Sequence, residues 1–269
     1  MRTATKNKAF GLPYKGSKNG IAKDIVRVLP KAKHFYDLFA GGCSVTHVAM
    51  LSGKYNDFII NDLSLMPELF YNAVQGKYAH ESRWISREDF ERLKDTDPYV
   101  ETVWSFGNNG KCYLYSKETE PLKRALHECH FASNERERKE AMNRYRKLVK
   151  GQRMELQSLE ALQRLQSLER LQRLQSDYRE VTIEKNSIIY CDPPYRNTSG
   201  YQDEAFDHEA FYEWCNMQTE PLFISEYDMP QDSFVCVAEF RKPSLLHNGH
   251  YERKYVTEKL YRPRKQIVG

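Results

Sequence analysis

The chain has 269 residues, of which 29% are charged and 40% hydrophobic, and its formal net charge is +4. This length suffices for one large domain, or for one domain with a substantial insertion, and it argues against a disordered chain. The six cysteines form no C-x-x-C pair, and no apolar run is long enough for a membrane span or a secretory signal, so we expect a reduced cytoplasmic protein with no membrane partner.

Basic residues concentrate at both ends of the chain. Residues 1–33 contain nine lysines and arginines against one acid, and residues 241–269 contain eight against two. Contact with a polyanion such as nucleic acid would suit this distribution, and solvated surfaces explain the charge equally well.

The first quarter of the chain alternates predicted helices and strands. Apolar residues recur at the spacing of one helix face, then in short runs rich in β-formers, and Gly41-Gly42 forms a tight turn between a strand and a helix. This alternation predicts a parallel or mostly parallel sheet with helices on its faces. The predicted elements are a helix over 20–29, a strand over 35–40, a helix from Ser44, a strand over 57–64 and a helix over 63–74.

The alternation stops between residues 67 and 177. This segment holds a charged helical stretch over 132–150 and a Leu-Gln repeat over 156–176. Leucines at every third position spiral around an α-helix instead of lining one seam. A helix buried on several sides and a short-turn solenoid-like stack are both compatible with this period of three. His127, Cys129 and His130 have metal-like spacing but lack a matched second ligand pair, so we predict no metal site.

Alternation resumes near residue 178. The predicted elements are a β-rich run over 178–183, a strand over 187–192, a helix over 208–217 capped by Asp207, and strands over 221–227, 233–240 and 255–261. We therefore predict one α/β domain made of residues 1–66 and 178–269. The insertion of residues 67–177 is too long for an ordinary connection.

Three features lie at the carboxyl ends of predicted strands, where open α/β sheets bind ligands. These are Gly41-Gly42, Asp62 and Asp192. The glycine turn lets a ligand approach the backbone, and Asp62, about 20 residues further on, is placed to accept hydrogen bonds from ribose hydroxyls. The combination favours a nucleoside-containing cofactor, while the absence of G-x-G-x-x-G disfavours nicotinamide dinucleotides.

The stretch Asp192-Pro193-Pro194-Tyr195 combines acceptors, stiff backbone and an aromatic ring. Each proline fixes φ and lacks an N–H, so carbonyl oxygens remain unpaired beside the Asp192 carboxylate. Acceptors next to a flat ring suit a planar group that carries an NH₂. An amine held in this way can attack an electrophile directly, without a covalent enzyme intermediate.

Together with "PYKGSK" (13–18) and "DLFAGG" (37–42), this stretch resembles the Dam-type (alpha-group, D-P-P-Y) family of adenine-specific DNA methyltransferases. The motifs occur in the family's order. The resemblance implies a Rossmann-like S-adenosylmethionine-dependent methyltransferase sheet with a mainly helical target-recognition insertion. It also implies methyl transfer from S-adenosylmethionine to the exocyclic amine of an adenine flipped out of duplex DNA.

The resemblance also implies a role for each matching residue. In the cofactor site, Tyr14 and Lys18 would hold the methionine part, with Lys18 near its carboxylate. Phe39, Gly41 and Gly42 would line the cofactor pocket. Asp37 would bracket the turn, and Asp62 would bind the ribose. At the target base, Asp192 would accept from the amine and lie beside the cofactor, Pro193 and Pro194 would present the stiff loop and its carbonyl, and Tyr195 would stack on the base. The family pattern F-x-G-x-G reads Phe39 to Cys43 here, with Cys43 in place of the last glycine.

Double-stranded DNA is the partner that the resemblance implies, with the basic ends on phosphates and the insertion reading the sequence. Within the insertion, the amides of Asn108 and Asn109 suit adenine edges and Lys111 suits a phosphate, although an ordinary Gly/Asn turn also fits. The resemblance also implies a bacterial or phage-encoded protein that acts on DNA in the cytoplasm, with a cognate restriction endonuclease as a further candidate partner.

Three alternatives remain open at the level of the sequence. The acceptor could be a cytosine amine or an RNA base, since the chemistry at an amine is alike. The chain could be a nucleic-acid-binding protein with an inactive methyltransferase fold, which Cys43 favours. The Leu-Gln repeat could be an interaction scaffold.

Overall fold

The computed structural model describes residues 10–13, 16–148, 170–196, 206–243 and 255–267, and the chain divides into two compact units. One unit combines residues 1–71 and 167–269, and the other spans residues 72–166. The predicted insertion of residues 67–177 ends later than the second unit because a strand at Leu171–Leu174 belongs to the sheet of the first unit.

The first unit contains a seven-stranded sheet, counted over the described residues. Its strands in chain order are β1 (His34–Asp37), β2 (Asp57–Asn61), β3 (Leu171–Leu174), β4 (Ser187–Cys191), β5 (Leu222–Glu226), β6 (Phe234–Pro243) and β7 (Tyr255–Pro263). The spatial order is β3-β2-β1-β4-β5-β7-β6, with β7 antiparallel to β5 and β6 and the other pairs parallel. The predicted α/β, Rossmann-like fold class is confirmed.

The central strands are apolar because both faces of the sheet are covered. Every residue of β1, β4 and β5 is buried, as expected for parallel strands flanked by helices. Ile189 of β4 and Ile224 of β5 pack in one core with Phe211 and Trp214, which lie on the helix that connects these two strands.

The helices of this unit begin and end where the sequence places caps. They are α1 (Ala22–Val28), α2 (Ser44–Ser52), α3 (Met66–Val74), which continues past residue 71, and α8 (His208–Met217). Asp207 accepts a hydrogen bond from Ala210 N at 3.0 Å and caps α8. After α1, Leu29 is extended because Pro30 disfavours helical backbone at the preceding residue.

Two stretches of local structure differ from the sequence pattern. The sequence left the Leu-Gln repeat open between a helix and a solenoid-like stack; its end, Leu171–Leu174, forms β3, because pairing with β2, where Phe58 is in register with Leu171, overrides the local pattern. The rest of the repeat lies outside the described residues. The β-rich run over 178–183 contains a 3₁₀ helix at Tyr178–Glu180, since Asp177 accepts from Arg179 N and starts a turn there.

The described part of the second unit is mainly helical. It contains α4 (Arg87–Leu93), α5 (Pro98–Val103), α6 (Glu120–His130) and α7 (Glu135–Leu148). His127 packs against Trp84, with ring centroids 5.4 Å apart. In the described residues of the chain, no group of three or more potential ligands is placed to bind a metal, and no helix is long and apolar enough to cross a membrane.

Candidate active site

The switch point of the sheet, where a doubly wound fold forms its ligand crevice, lies between β1 and β4. These neighbouring parallel strands lead into connections that depart in opposite directions, because β2 lies on one side of β1 and β5 on the far side of β4. Such a switch point is where doubly wound sheets bind ligands. Asp37 ends β1 and pairs in register with Tyr190, so Asp37 and Asp192 lie at the same edge.

The glycine turn after β1 is held by Asp62. Gly41 has a φ of 45°, and its N–H donates to Asp62 Oδ2 at 2.8 Å. The other carboxylate oxygen accepts from both Ser64 N and Ser64 Oγ at 2.9 Å. Asp62 therefore fixes the turn, and its Oδ2 keeps a lone pair for a further donor.

Cys43 adopts the left-handed conformation that the turn requires. Its φ is 56°, a region that glycine enters more easily than other residues, and its side chain is fully buried. Cys43 N donates to Ala40 O at 2.7 Å, and α2 starts at the next residue. The departure from the glycine pattern thus leaves the turn itself in place.

The segment before the "YKGSK" motif lies directly on this turn. Leu12 N donates to Gly42 O at 2.6 Å, and a Cβ on Gly11 would come within 2.2 Å of the same oxygen. Gly11 N donates to His47 Nδ1 at 3.0 Å, and burial lowers the pKa of His47 from 6.5 to about 4. His47, whose neutral ring joins the N-terminal segment to α2, was not predicted as a site residue and carries no motif that would have identified it.

Asp37 is a buried carboxyl in an acidic environment. Its Oδ2 accepts from Thr46 Oγ1 at 2.6 Å, while its Oδ1 has no hydrogen-bond donor among the described residues. Burial raises the pKa of Asp37 to about 7; the Thr46 hydrogen bond lowers it, and Asp192 and Asp62 raise it further. A cationic ligand would relieve this arrangement.

Lys18 lies against the Asp-Pro-Pro-Tyr loop. Its Nζ is 2.8 Å from Asp192 Oδ2 and 4.7 Å from the centre of the Tyr195 ring. The sequence predicted Lys18 near a cofactor carboxylate, and the structure places it beside the proposed amine acceptor. Burial lowers the pKa of Lys18, but Asp192 and Glu258 outweigh burial and the net shift is upward.

Asp192 keeps one carboxylate oxygen without a hydrogen bond. Oδ1 is buried and has no hydrogen-bond donor of good geometry among the described residues, although the whole side chain is 20% exposed. Burial raises the pKa of Asp192, and the Lys18 ammonium and the nearby Tyr195 hydroxyl oppose this increase. Pro193 is buried and Pro194 half-buried, so the loop is stiff where the carboxylate emerges.

Tyr195 stands edge-on to Tyr227, with ring centroids 4.8 Å apart. Next to Tyr227, the buried Glu226 accepts from Tyr227 N at 2.7 Å and from Arg196 N at 3.3 Å. Burial raises the pKa of Glu226 to about 7. Glu226 and Glu258 were not predicted as site residues; their one sequence signal is an acid within a strand otherwise rich in β-formers.

Phe39 belongs to an aromatic cluster beside the crevice. Its ring lies 5.2 Å from Tyr178, 5.8 Å from Phe206 and 5.6 Å from Phe211. Phe39 and Phe206 are only partly buried, so they can offer ring surface to a ligand. Tyr178 and Phe206 were not predicted as site residues.

The remaining predicted residues are placed as follows. Tyr14 lies outside the described residues. Asn108 has a φ of 56° and donates from its amide to Thr102 O at 2.8 Å, which is the geometry of a turn. Asn109 is exposed and accepts from Lys111 N at 3.0 Å. A DNA contact by these residues stays a prediction.

Three solved structures resemble the chain at low sequence identity. One, from Pyrococcus horikoshii, is described as a "putative RNA methyltransferase" (11% identity, TM-score 0.40, covering 91% of this chain and 84% of that one). The second is a conserved hypothetical protein from Streptococcus pyogenes (8% identity, TM-score 0.37, covering 91% of this chain and 94% of that one). The third is an rRNA methylase from Streptococcus thermophilus (8% identity, TM-score 0.35, covering 91% of this chain and 95% of that one). No curated protein sequence matches the chain.

A family model matches most of the chain, over residues 14–213. The match includes Lys18, the glycine turn, Asp62 and the Asp-Pro-Pro-Tyr loop, and it confirms the resemblance drawn from the motifs. The chain belongs to the D12 class of N6 adenine-specific DNA methyltransferases.

Proposed function

We propose that the protein uses S-adenosylmethionine to methylate the N6 amine of an adenine flipped out of duplex DNA. The observation that carries this proposal is the pairing, at one switch point, of the acidic crevice around Asp37 with the Lys18–Asp192–Tyr195 group. The first group suits a cationic cofactor and the second suits an aromatic amine.

The residues of the crevice fit S-adenosylmethionine, which carries an ammonium and a sulfonium. Asp37 Oδ1 is buried without a described donor, and the nearby charges that act on it, Asp192 and Asp62, are negative. A cation would lower the free energy of all three carboxylates. Asp62 Oδ2 has a lone pair for a ribose hydroxyl, and the ring of Phe39 suits the face of an adenine.

When bound, the cofactor would supply an electrophilic methyl group, and its sulfur would leave as a neutral thioether. The chain's part is to hold the amine: Asp192 Oδ1 accepts one N–H, and the carbonyl of Pro193 accepts the other. As the nitrogen acquires positive charge, the carboxylate of Asp192 stabilises it in a water-poor site. The departing amine proton then passes to this carboxylate or to solvent.

Lys18 acts in this proposal on the carboxylate more than on the cofactor. Its ammonium donates to Gly16 O at 3.3 Å and pairs with Asp192 at 2.8 Å. This pairing keeps Asp192 ionised despite burial and turns Oδ1 toward the amine. Tyr195 offers its face to the flipped base, which offsets part of the few kcal/mol lost on unstacking.

The second unit is the part proposed to read the DNA sequence. Sequencing that maps modified adenines in cells expressing the protein gives the target, and Asn109→Ala tests the Gly/Asn loop. A changed target in the variant supports this role, and an unchanged target at unchanged rate removes Asn109 from recognition.

Two binding experiments test the cofactor and the flipping separately. Calorimetry should detect binding of S-adenosylmethionine by the full-length protein and weaker binding by Asp37→Asn, with the exposed-turn variant Asp232→Asn as matched control. A duplex with 2-aminopurine at the target position should become more fluorescent on binding. No heat of binding would exclude the cofactor, and unchanged fluorescence would exclude flipping.

A further inference from the structure

A second buried carboxylate faces the Lys18 ammonium from the other end of the chain. Glu258 lies on β7 with 2% of its surface exposed, and its Oε2 is 3.8 Å from Lys18 Nζ. The residues matched by the family model end at 213, so Glu258 is not among them.

The ammonium of Lys18 has four close neighbours. Asp192 Oδ2 lies at 2.8 Å, Gly16 O at 3.3 Å, Glu258 Oε2 at 3.8 Å and the centre of the Tyr195 ring at 4.7 Å. A lysine has a flexible four-carbon stem, so a single contact would leave its ammonium several positions. The contacts from β7 and from the Asp-Pro-Pro-Tyr loop together fix one.

Charge gives the Glu258 carboxylate a defined effect on the pair. An ammonium held by Asp192 alone would form an isolated ion pair and would settle where its attraction to both oxygens of Asp192 is greatest. A second carboxylate, 3.8 Å from the ammonium, adds an attraction that holds Lys18 Nζ where it contacts Oδ2. Oδ1 then stays without a hydrogen bond, as it is among the described residues.

We propose that Glu258 is a positioning residue for methyl transfer, which holds Lys18 so that Asp192 presents its free oxygen to the target amine. This inference rests on the proposed function, because it concerns the same site. It assigns a task to β7, the antiparallel strand inserted between β5 and β6.

The test is single-turnover methyl transfer to duplex DNA by the full-length protein, with cofactor and DNA saturating. Glu258→Gln should lower the rate about tenfold, as expected for residues that share one charge network, and should leave cofactor and DNA dissociation constants within about twofold. Glu239→Gln, the same change at an exposed position of β6, is the matched control and should retain the wild-type rate.

A second arm distinguishes positioning from general stabilisation. If Glu258 acts through Lys18, adding Glu258→Gln to Lys18→Met should cause no further loss of rate, and Glu258→Asp should recover part of the loss. A wild-type rate in Glu258→Gln, or an equal tenfold loss in the Lys18→Met background, would overturn the inference.

Unfolding midpoints are measured for each variant. Should Glu258→Gln fail to fold, Glu258→Asp carries the test: its rate must fall at unchanged dissociation constants, and a wild-type rate overturns the inference. Wild-type protein without methyl transfer would instead contradict the proposed function itself, so the two failures are distinguishable.

Discussion

Replacing Asp37 with asparagine should stabilise the protein at alkaline pH while weakening its cofactor site. Asp37 is 2% exposed, receives one hydrogen bond from Thr46, and has acidic neighbours. Its pKa is raised from 3.8 to about 7. At about 1.4 kcal/mol per unit of pKa, ionising Asp37 in the folded state costs about 4 kcal/mol more than in the unfolded chain.

The sign follows from which state binds more protons. Below pH 3.8 Asp37 is protonated in both states, and between pH 3.8 and 7 only the folded state keeps the proton. The contribution of Asp37 to stability is therefore present at low pH and lost as the pH rises to about 7. Asparagine does not titrate, so Asp37→Asn removes this loss.

Urea denaturation of wild type and Asp37→Asn between pH 4.5 and 8 measures the effect. The free energy of unfolding of the variant, relative to wild type, should increase across this range by about 3 kcal/mol, since part of the full effect of about 4 kcal/mol falls below pH 4.5. A constant cost of burying the amide cancels in the comparison. Asp232→Asn, at an exposed turn, should differ little from wild type at every pH. Parallel curves for Asp37→Asn and wild type would refute the reasoning.

Three further predictions concern neighbouring groups. Because the pKa of His47 falls from 6.5 to about 4, wild type should lose up to about 3 kcal/mol of stability relative to His47→Gln between pH 6.5 and 4; equal slopes in urea denaturation would count against a neutral buried ring. Gly11→Ala should lower the free energy of unfolding by about 2 to 4 kcal/mol and weaken cofactor binding, since its Cβ would meet Gly42 O at 2.2 Å. Gly20→Ala is the control, because the added Cβ has open space there. Equal unfolding midpoints of the two variants would exclude the clash. Single-turnover methylation should decline on acidification at a pH above the ordinary pKa of an aspartate, because burial raises the pKa of Asp192 and its carboxylate form is required; a rate that holds down to the ordinary value would exclude this role.

The sequence predicted the strands and helices of the sheet well because parallel strands buried on both faces leave long apolar runs. β4 is such a run, the shorter β1 contributes Phe35 and Tyr36, and each strand leads into an acid or a turn motif. β3 could not be predicted, since its residues belong to a Leu-Gln repeat without strand periodicity and become a strand only by pairing with β2.

The site was predictable where neighbouring residues form a motif and not where distant segments meet. Asp192 and Tyr195 stand together in the sequence, as do Gly41 and Gly42. Glu258, by contrast, meets Lys18 only because β7 inserts into the sheet near β5. Likewise, no sequence pattern links His47 to the backbone of Gly11, 36 positions away.

Transfer of a tritiated methyl group from S-adenosylmethionine to unmethylated duplex DNA tests the central claim most directly. After digestion to nucleosides, wild type and Asp232→Ala should place the label in N6-methyladenine, and Asp192→Ala should place none. Label in methylcytosine, or no label with folded wild-type protein, would contradict the account.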